Sequence, residues 1–202
     1  MDVAIAQLGI GSPWDALILA LSGDASTAAL AKGVIAHESQ WNPDARNPAD
    51  PSVGLMQILI GPGGPYPSMS EAALADPATN LTLGIRFLRS EIARYGATSD
   101  AIAAYNAGTP RKNAQNQYVN SRGDSEVQAY VDDVQLYWVW YLNNDPLFVT
   151  TDASGAEVPI DGSVVVDSAG QLVPAAVMPG LSGAAIGVAL VFLLVLAARR
   201  WL

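Results

Sequence analysis

Cysteine is absent from the 202 residues, which excludes disulfides and thiolate metal sites. A single histidine, His37, rules out the usual multi-histidine zinc sites. It also leaves a Ser-His-Asp or Cys-His catalytic group impossible unless His37 itself serves. Positive charge is scarce: 10 Lys and Arg stand against 19 Asp and Glu, for a net charge of −9. Two of those positives, Arg199 and Arg200, lie at the extreme C-terminus. Phosphate neutralisation needs a basic face, so no nucleic-acid partner is expected. Charged residues make up only 14% of the chain and hydrophobic residues 50%, low and high for a soluble protein. The length suits one domain with additional segments, large enough to bury a core without staples.

Much of the apolar excess lies in one place. Leu181 to Ala198 carries no charge, and neither does the stretch back to Ala175, broken only by Pro179-Gly180. A bilayer core takes about 20 such residues, and Arg199, Arg200 and Trp201 follow as a basic and aromatic anchor. Residues 175–202 are therefore expected to be a transmembrane helix with a basic tail. The competing reading is a buried core helix. Met1 to Gly11 has no Lys or Arg, and Ile5 to Leu21 is interrupted by Gly9, Gly11, Pro13 and Asp15. That is not the pattern of a Sec signal peptide.

The region between these ends reads as mainly α. Ser12-Pro13 with Asp15 predicts a helix start, with Trp14, Leu17, Ile18 and Leu21 on one face and Gly23 as the stop. A second helix is predicted from about Ser26 to Trp41, ended by Asn42-Pro43. Leu81, Ile85, Leu88, Ile92 and Tyr95 form the stripe of a third, closed by Gly96. A fourth covers about Ser99 to Asn106, closed by Gly108, and a fifth carries Val127, Val131, Val134, Trp138 and Tyr141. Residues 42–78 are rich in Pro and Gly, with room for short β pieces between Val53 and Ile60.

Past residue 145 the character changes. Asp152, Gly155, Val158 and Pro159 recur 15 positions on as Asp167, Gly170, Val173 and Pro174. Each unit predicts a short strand, a turn and a short strand, so residues 146–174 are expected to form a β-hairpin-like stalk; a linker is the other reading. Residues 1–145 then hold the mainly α domain.

Glu38 is the candidate acid. Stepping back by three, four and seven residues gives Ile35, Val34 and Ala31, which share its helical face. A carboxyl at the end of an apolar stripe is desolvated, its pKa rises, and it can serve as a general acid near neutral pH. Periodicity alone equally allows an exposed charge at a frayed helix end.

The words around Glu38 say more. His37-Glu38-Ser39-Gln-Trp41-Asn42-Pro43 is followed by Gly54-Leu55-Met56-Gln57-Ile58, then Asp76-Pro77-Ala-Thr-Asn80-Leu81, then Ala104-Tyr105-Asn106-Ala107-Gly108, and last Glu126-Val-Gln-Ala-Tyr130-Val131. In order and spacing this resembles the soluble lytic transglycosylase (SLT) family, with its lysozyme-like fold, over about residues 13–142. The resemblance implies Glu38 as the single catalytic acid. It implies Met56 and Gln57 as residues lining the sugar site, Tyr105 near the catalytic carboxyl, Asn106 on the substrate side, and Tyr130 bordering the groove. The family usually has a serine nine residues after the acid; here that position is Asn47, expected to take over the role, with Ser52 as the rival.

The implied reaction is cleavage of the MurNAc-β-1,4-GlcNAc bond to leave 1,6-anhydroMurNAc ends, with one carboxyl acting twice and no metal or cofactor. The implied partner is a peptidoglycan glycan strand, with a lipid membrane engaged by the C-terminal run. Two alternatives stand beside this reading. One is a lysozyme-type hydrolase using Asp44 or Asp50 as a second carboxylate. The other is a non-catalytic glycan-binding or virion protein of the same fold. His37 is read as a surface or packing residue and Trp41 as core. A single-pass protein facing the cell wall suits a phage virion membrane first and a bacterial inner membrane second, with virion or envelope-complex proteins as possible neighbours.

Overall fold

The computed structural model describes residues 9–151 and three further strands at 157–159, 164–166 and 172–174. In chain order, α1 is Asp15–Ser22, α2 Ala25–Ser39, β1 Ser52–Val53, β2 Ile58–Leu59, α3 Glu71–Ala75, α4 Pro77–Tyr95, α5 Ser99–Ala107 and α6 Glu126–Asn144. After these come β3 Val149–Thr151, β4 Glu157–Pro159, β5 Val164–Val166 and β6 Leu172–Pro174.

Helix α2 is the axis of the fold. Its N-cap is Asp24, whose carboxylate accepts from the Thr27 amide at 2.7 Å and from the Thr27 hydroxyl at 2.7 Å. From Thr27 to Ala36 every residue is buried, so the helix is enclosed on all sides rather than amphipathic. Helix α6 packs along it, α1 lies beside it, and α4 and α5 complete the core. Helices α2 and α6 come close at Gly33, where a Cβ would sit 3.1 Å from the Val134 carbonyl oxygen and 3.2 Å from the Trp138 nitrogen. A side chain there would push the two helices apart. The predicted stripes of α4 and α6 do face the core: Leu81, Ile85 and Leu88 are fully buried, as are Val134 and Tyr141. Each such side chain contributes about 1.5–3 kcal/mol relative to exposure.

One buried cation joins three elements. The Lys32 ammonium on α2 pairs with Asp15 on α1 and with Asp145 just after α6, and lies within 5.3–5.9 Å of the ring centroids of Trp41, Tyr141 and Phe148. Asp145 is itself buried and accepts from the Leu147 amide at 3.0 Å.

Three expectations are corrected here. The first helix starts at Asp15, not at Pro13, because the Ser12 hydroxyl accepts from the Trp14 amide only two residues on and closes a turn. Asp15 is drawn to Lys32 instead of capping. The second helix ends at Ser39, because Gln40 and Trp41 both adopt left-handed backbone, with φ of 51° and 65°. That reversal drives Trp41 into the core, where its indole N–H donates to the Tyr141 hydroxyl at 3.0 Å. The short helix α3 has no counterpart in the sequence reading; Ser70 caps it and only Leu74 is buried.

β1 and β2 pair antiparallel, Ser52 with Leu59 and Val53 with Ile58, as the short β pieces expected there. Beyond α6, β3 pairs with β4 (Val149 with Pro159) and β5 with β6 (Val164 with Pro174), so the 15-residue sequence echo is an echo of register as well. No helix among the described residues is long and apolar enough to cross a membrane. The run 175–202, on which the transmembrane expectation falls, lies outside the described residues.

Candidate active site

Glu38 sits in the last turn of α2, one residue before Ser39. Its stripe partners Ala31, Val34 and Ile35 are fully buried, and Glu38 itself is partly buried, so its carboxyl sits at the end of an apolar floor. Desolvation pushes its pKa up to about 7, with the negative charge of Asp50 adding to the rise and the Tyr130 hydroxyl opposing it. A carboxyl shifted this far can still hold its proton near neutral pH.

Two tyrosines flank this carboxyl. Tyr130, on α6, is buried, and its hydroxyl makes no full hydrogen bond with any described residue. It is nevertheless directed at the Glu38 carboxyl, close enough to favour the ionised form. We read this as a long polar contact that tightens when the carboxylate forms. Tyr105, on α5, comes from the other side; its hydroxyl donates to the Met56 carbonyl at 2.9 Å, and burial and the Glu38 charge raise its pKa.

The loop that faces Glu38 is held by a residue to which the sequence reading gave no role. Asn80, in the first turn of α4, is fully buried. Its side-chain oxygen accepts from the Met56 amide at 2.8 Å, and its amide nitrogen donates to the carbonyls of Val53 at 2.9 Å and Leu74 at 2.8 Å. Gly54, at φ +78°, lies so close that a Cβ would be 2.4 Å from the Asn80 nitrogen. Met56 is therefore clamped at its N–H by Asn80 and at its C=O by Tyr105. The signal in the sequence was an uncharged amide one residue before the Leu81 stripe and four before Gly84. Asn80→Ala would leave buried groups at Met56, Val53 and Leu74 unpartnered, at about 1–3 kcal/mol each. We expect a loss of at least about 2 kcal/mol in urea unfolding; a change under about 0.5 kcal/mol would show that the clamp is not what holds the loop.

The predicted site residues fall into two groups. Glu38, Tyr105 and Tyr130 come together, with Met56 beneath. The Met56 side chain is fully buried against Gly84, so what Met56 can offer a sugar is its backbone, whose carbonyl takes the Tyr105 hydroxyl. Gln57 is partly exposed, at φ +44°; its amide nitrogen donates to the Ala45 and Gly54 carbonyls, which leaves its side-chain oxygen for the groove. Gln40, Trp41 and Gln57, three non-glycine residues in left-handed backbone, thus lie beside Glu38 or in the loop opposite, the kind of place where strain is retained.

Asn47 and Ser52 are not brought to Glu38 by any hydrogen bond among the described residues. Asn47 is exposed and its side-chain oxygen accepts from the Ala49 amide at 2.9 Å, while Ser52 is buried in β1. Asn106 is exposed at the end of α5. Of the two aspartates weighed as second carboxylates, both are exposed, and Asp50 is the one whose charge reaches Glu38. Among the described residues no group of His, Asp and Glu is placed to hold a metal ion.

The chain is similar to known lytic transglycosylases. The soluble lytic murein transglycosylase of Escherichia coli K12 is 31% identical over 138 residues, covering 59% of this chain and 21% of that protein. Its Salmonella typhimurium counterpart is 31% identical over 129 residues, covering 55% and 20%. The chain thus spans about a fifth of the length of these curated relatives. Among solved structures, the 70-kDa soluble lytic transglycosylase in complex with bulgecin A superposes with a TM-score of 0.51 at 28% identity, over 64% of this chain and 24% of that one. An inactive mutant of the lytic transglycosylase Slt from Pseudomonas aeruginosa gives 0.51 at 22% identity, over 72% and 26%, a likeness of fold. The family model of the transglycosylase SLT domain matches residues 16–128, more than half of the chain, and the chain belongs to that family.

Proposed function

We propose that this domain is a peptidoglycan lytic transglycosylase that uses Glu38 first as acid and then as base. The observation that carries the reading is a lone carboxyl with its pKa pushed up to about 7, set between two tyrosine hydroxyls in a chain of this family. Protonated Glu38 gives its proton to the β-1,4 oxygen as the bond to MurNAc C1 breaks, and GlcNAc leaves as the alcohol. The carboxylate then takes the proton of the C6 hydroxyl of the same MurNAc, whose oxygen closes on C1 to form the 1,6-anhydro ring. Glu38 ends as it began, and no water is consumed. The Tyr130 hydroxyl steadies the carboxylate between the two transfers. Gln57 offers its side-chain oxygen to an N-acetyl N–H of the sugar, and Asn106, exposed at the end of α5, is the proposed substrate-side residue beside it. Asn47, exposed near the loop, and buried Ser52 are the proposed groups for the family serine's role.

Purified sacculi incubated with the protein test this: release of soluble fragments is expected, and intact sacculi under conditions where the domain is folded would reject it. Glu38 must be protonated to start, so kcat/KM should be level below pH 7 and fall as pH rises through about 7. A basic limb near the ordinary carboxyl range would show that the acid is another group.

The field of Asp50 at Glu38 favours a second reading, a hydrolase in which Asp50 activates water. Asp50→Asn separates the two: a mild effect is expected, and a loss as large as that at Glu38 would favour the hydrolase.

We further propose that residues 181–198 anchor the domain in a membrane, with residues 146–174 as the spacer toward the wall, in a phage virion membrane or a bacterial inner membrane. Removing residues 175–202 should give a domain that cleaves sacculi but no longer floats with lipid vesicles; a truncated domain that cannot fold would overturn the anchor.

A further inference from the structure

His37 is the neighbour of Glu38 in sequence, and the reaction above does not use it. Its ring is not free on the surface. It meets the ring of Tyr130 edge-on, with centroids 4.7 Å apart and planes at 76°. On its other side Nδ1 lies 3.6 Å from the Asp133 carboxylate. Tyr130 and Asp133 are one turn apart on α6, so His37 fills the notch between them. Four residues earlier on α2, Gly33 lets the two helices touch backbone to backbone. The α2–α6 seam is thus backbone-close at Gly33 and holds a ring one turn later.

The wedge matters because of what Tyr130 carries. Its hydroxyl is buried, has no full hydrogen bond among the described residues, and is directed at Glu38. Its hydroxyl has a polar tie to Glu38 but no full hydrogen bond to hold it there, so its aim depends on how the ring is packed. We propose that His37 is a positioning residue whose ring, oriented by Asp133, holds the Tyr130 hydroxyl against the Glu38 carboxyl. This rests on the reading of Glu38 as the acid and base. His37 touches neither the sugar nor the reacting atoms in this account and transfers no proton. Desolvation lowers its pKa, which Asp133 opposes, so the ring is largely neutral at pH 7 and works by shape.

The groups that face Glu38 are Tyr130 from α6, Tyr105 from α5 and Asp50 from the loop; those that face His37 are Tyr130 and Asp133, both from α6. The wedge therefore reaches Glu38 through Tyr130. Without it the Tyr130 ring can turn, and its stabilisation of the carboxylate is lost. His37→Ala should lower kcat about tenfold to hundredfold, the scale of an ångström-size misplacement, with KM little changed. His37→Phe, which restores an edge-on ring without the Asp133 contact, should recover most of that loss.

A cycle of His37→Ala, Tyr130→Phe and the double variant is the test, read on sacculi and, independently of turnover, by NMR titration of the Glu38 carboxyl carbon. Both single variants should move the Glu38 midpoint upward, because Tyr130→Phe removes the hydroxyl that favours the ionised form and His37→Ala lets it turn away, and the double should move it no further than Tyr130→Phe alone. Independent, additive shifts, or a His37→Ala enzyme with unchanged kcat and an unchanged Glu38 midpoint, would overturn the proposal. Glu38→Gln run beside them separates the two failures. An active Glu38→Gln sinks the reading of the acid, whereas an inactive one with additive His37 and Tyr130 effects sinks only the wedge.

Discussion

Glu38→Gln should abolish turnover while leaving the fold intact, with a loss of at least the ~10²–10⁴ that a general acid supplies. Gln keeps the shape and the hydrogen-bonding reach of the side chain but cannot donate or take the proton. The same variant should be more stable than the parent at high pH. Folded Glu38 holds its proton up to about pH 7, whereas in the unfolded chain it lets go near 4.5. Between those values the folded state binds more protons, so its stability falls as pH rises through the window. Gln carries no such charge. Above pH 7 it should gain about 1–3 kcal/mol, and the gain should fade below pH 4.5. Urea unfolding at pH 4 and pH 8 checks the sign. An equal midpoint at both values would mean that the carboxyl is not desolvated, and the acid would lose its physical basis.

The largest expected effect on stability is at Lys32. Its ammonium is fully buried between Asp15 and Asp145 under three aromatic rings, and Asp145 is almost as buried. Lys32→Met keeps most of the volume but strands a carboxylate in the core. Breaking a buried pair from one side costs about 3–5 kcal/mol, mostly as the uncompensated charge. Adding Asp145→Asn should recover much of that loss, since the stranded charge goes with it. A cost below about 1 kcal/mol for Lys32→Met would show that water reaches the site. The pair also ties the end of α6 to α2, six residues before Glu38, so the network that fixes the core fixes the base of the active site.

How much of this the sequence could show depends on how local the cause is. The stripes of α4 and α6 were legible because helical burial repeats every three to four residues and needs no knowledge of the partner. Glu38 was legible as a carboxyl at the end of an apolar face, and the repeat after residue 145 as paired short strands, because both are patterns within one segment. The end of α2 was not. Asn42-Pro43 is a local stop signal, but the chain turns two residues earlier because Trp41 must reach Tyr141, 100 residues away. The inward turn of the Met56 side chain was not legible for a similar reason: a motif says which residue stands by the loop, not that its side chain points onto Gly84. Asn80 and the His37–Tyr130 contact join separate segments through side chains, and no periodicity within one segment encodes them. Asp50 was named as a candidate, but its reach to Glu38 is set by the loop's path.

The chemistry at MurNAc C1 decides the central claim, and the ends of the products record it. Purified sacculi would be digested in ¹⁸O-labelled water and the released muropeptides weighed by mass spectrometry. If Glu38 acts as acid and then as base on the C6 hydroxyl, the new ends are 1,6-anhydroMurNAc and carry no label. New reducing ends that carry solvent oxygen would show that water attacks C1, and would contradict the account.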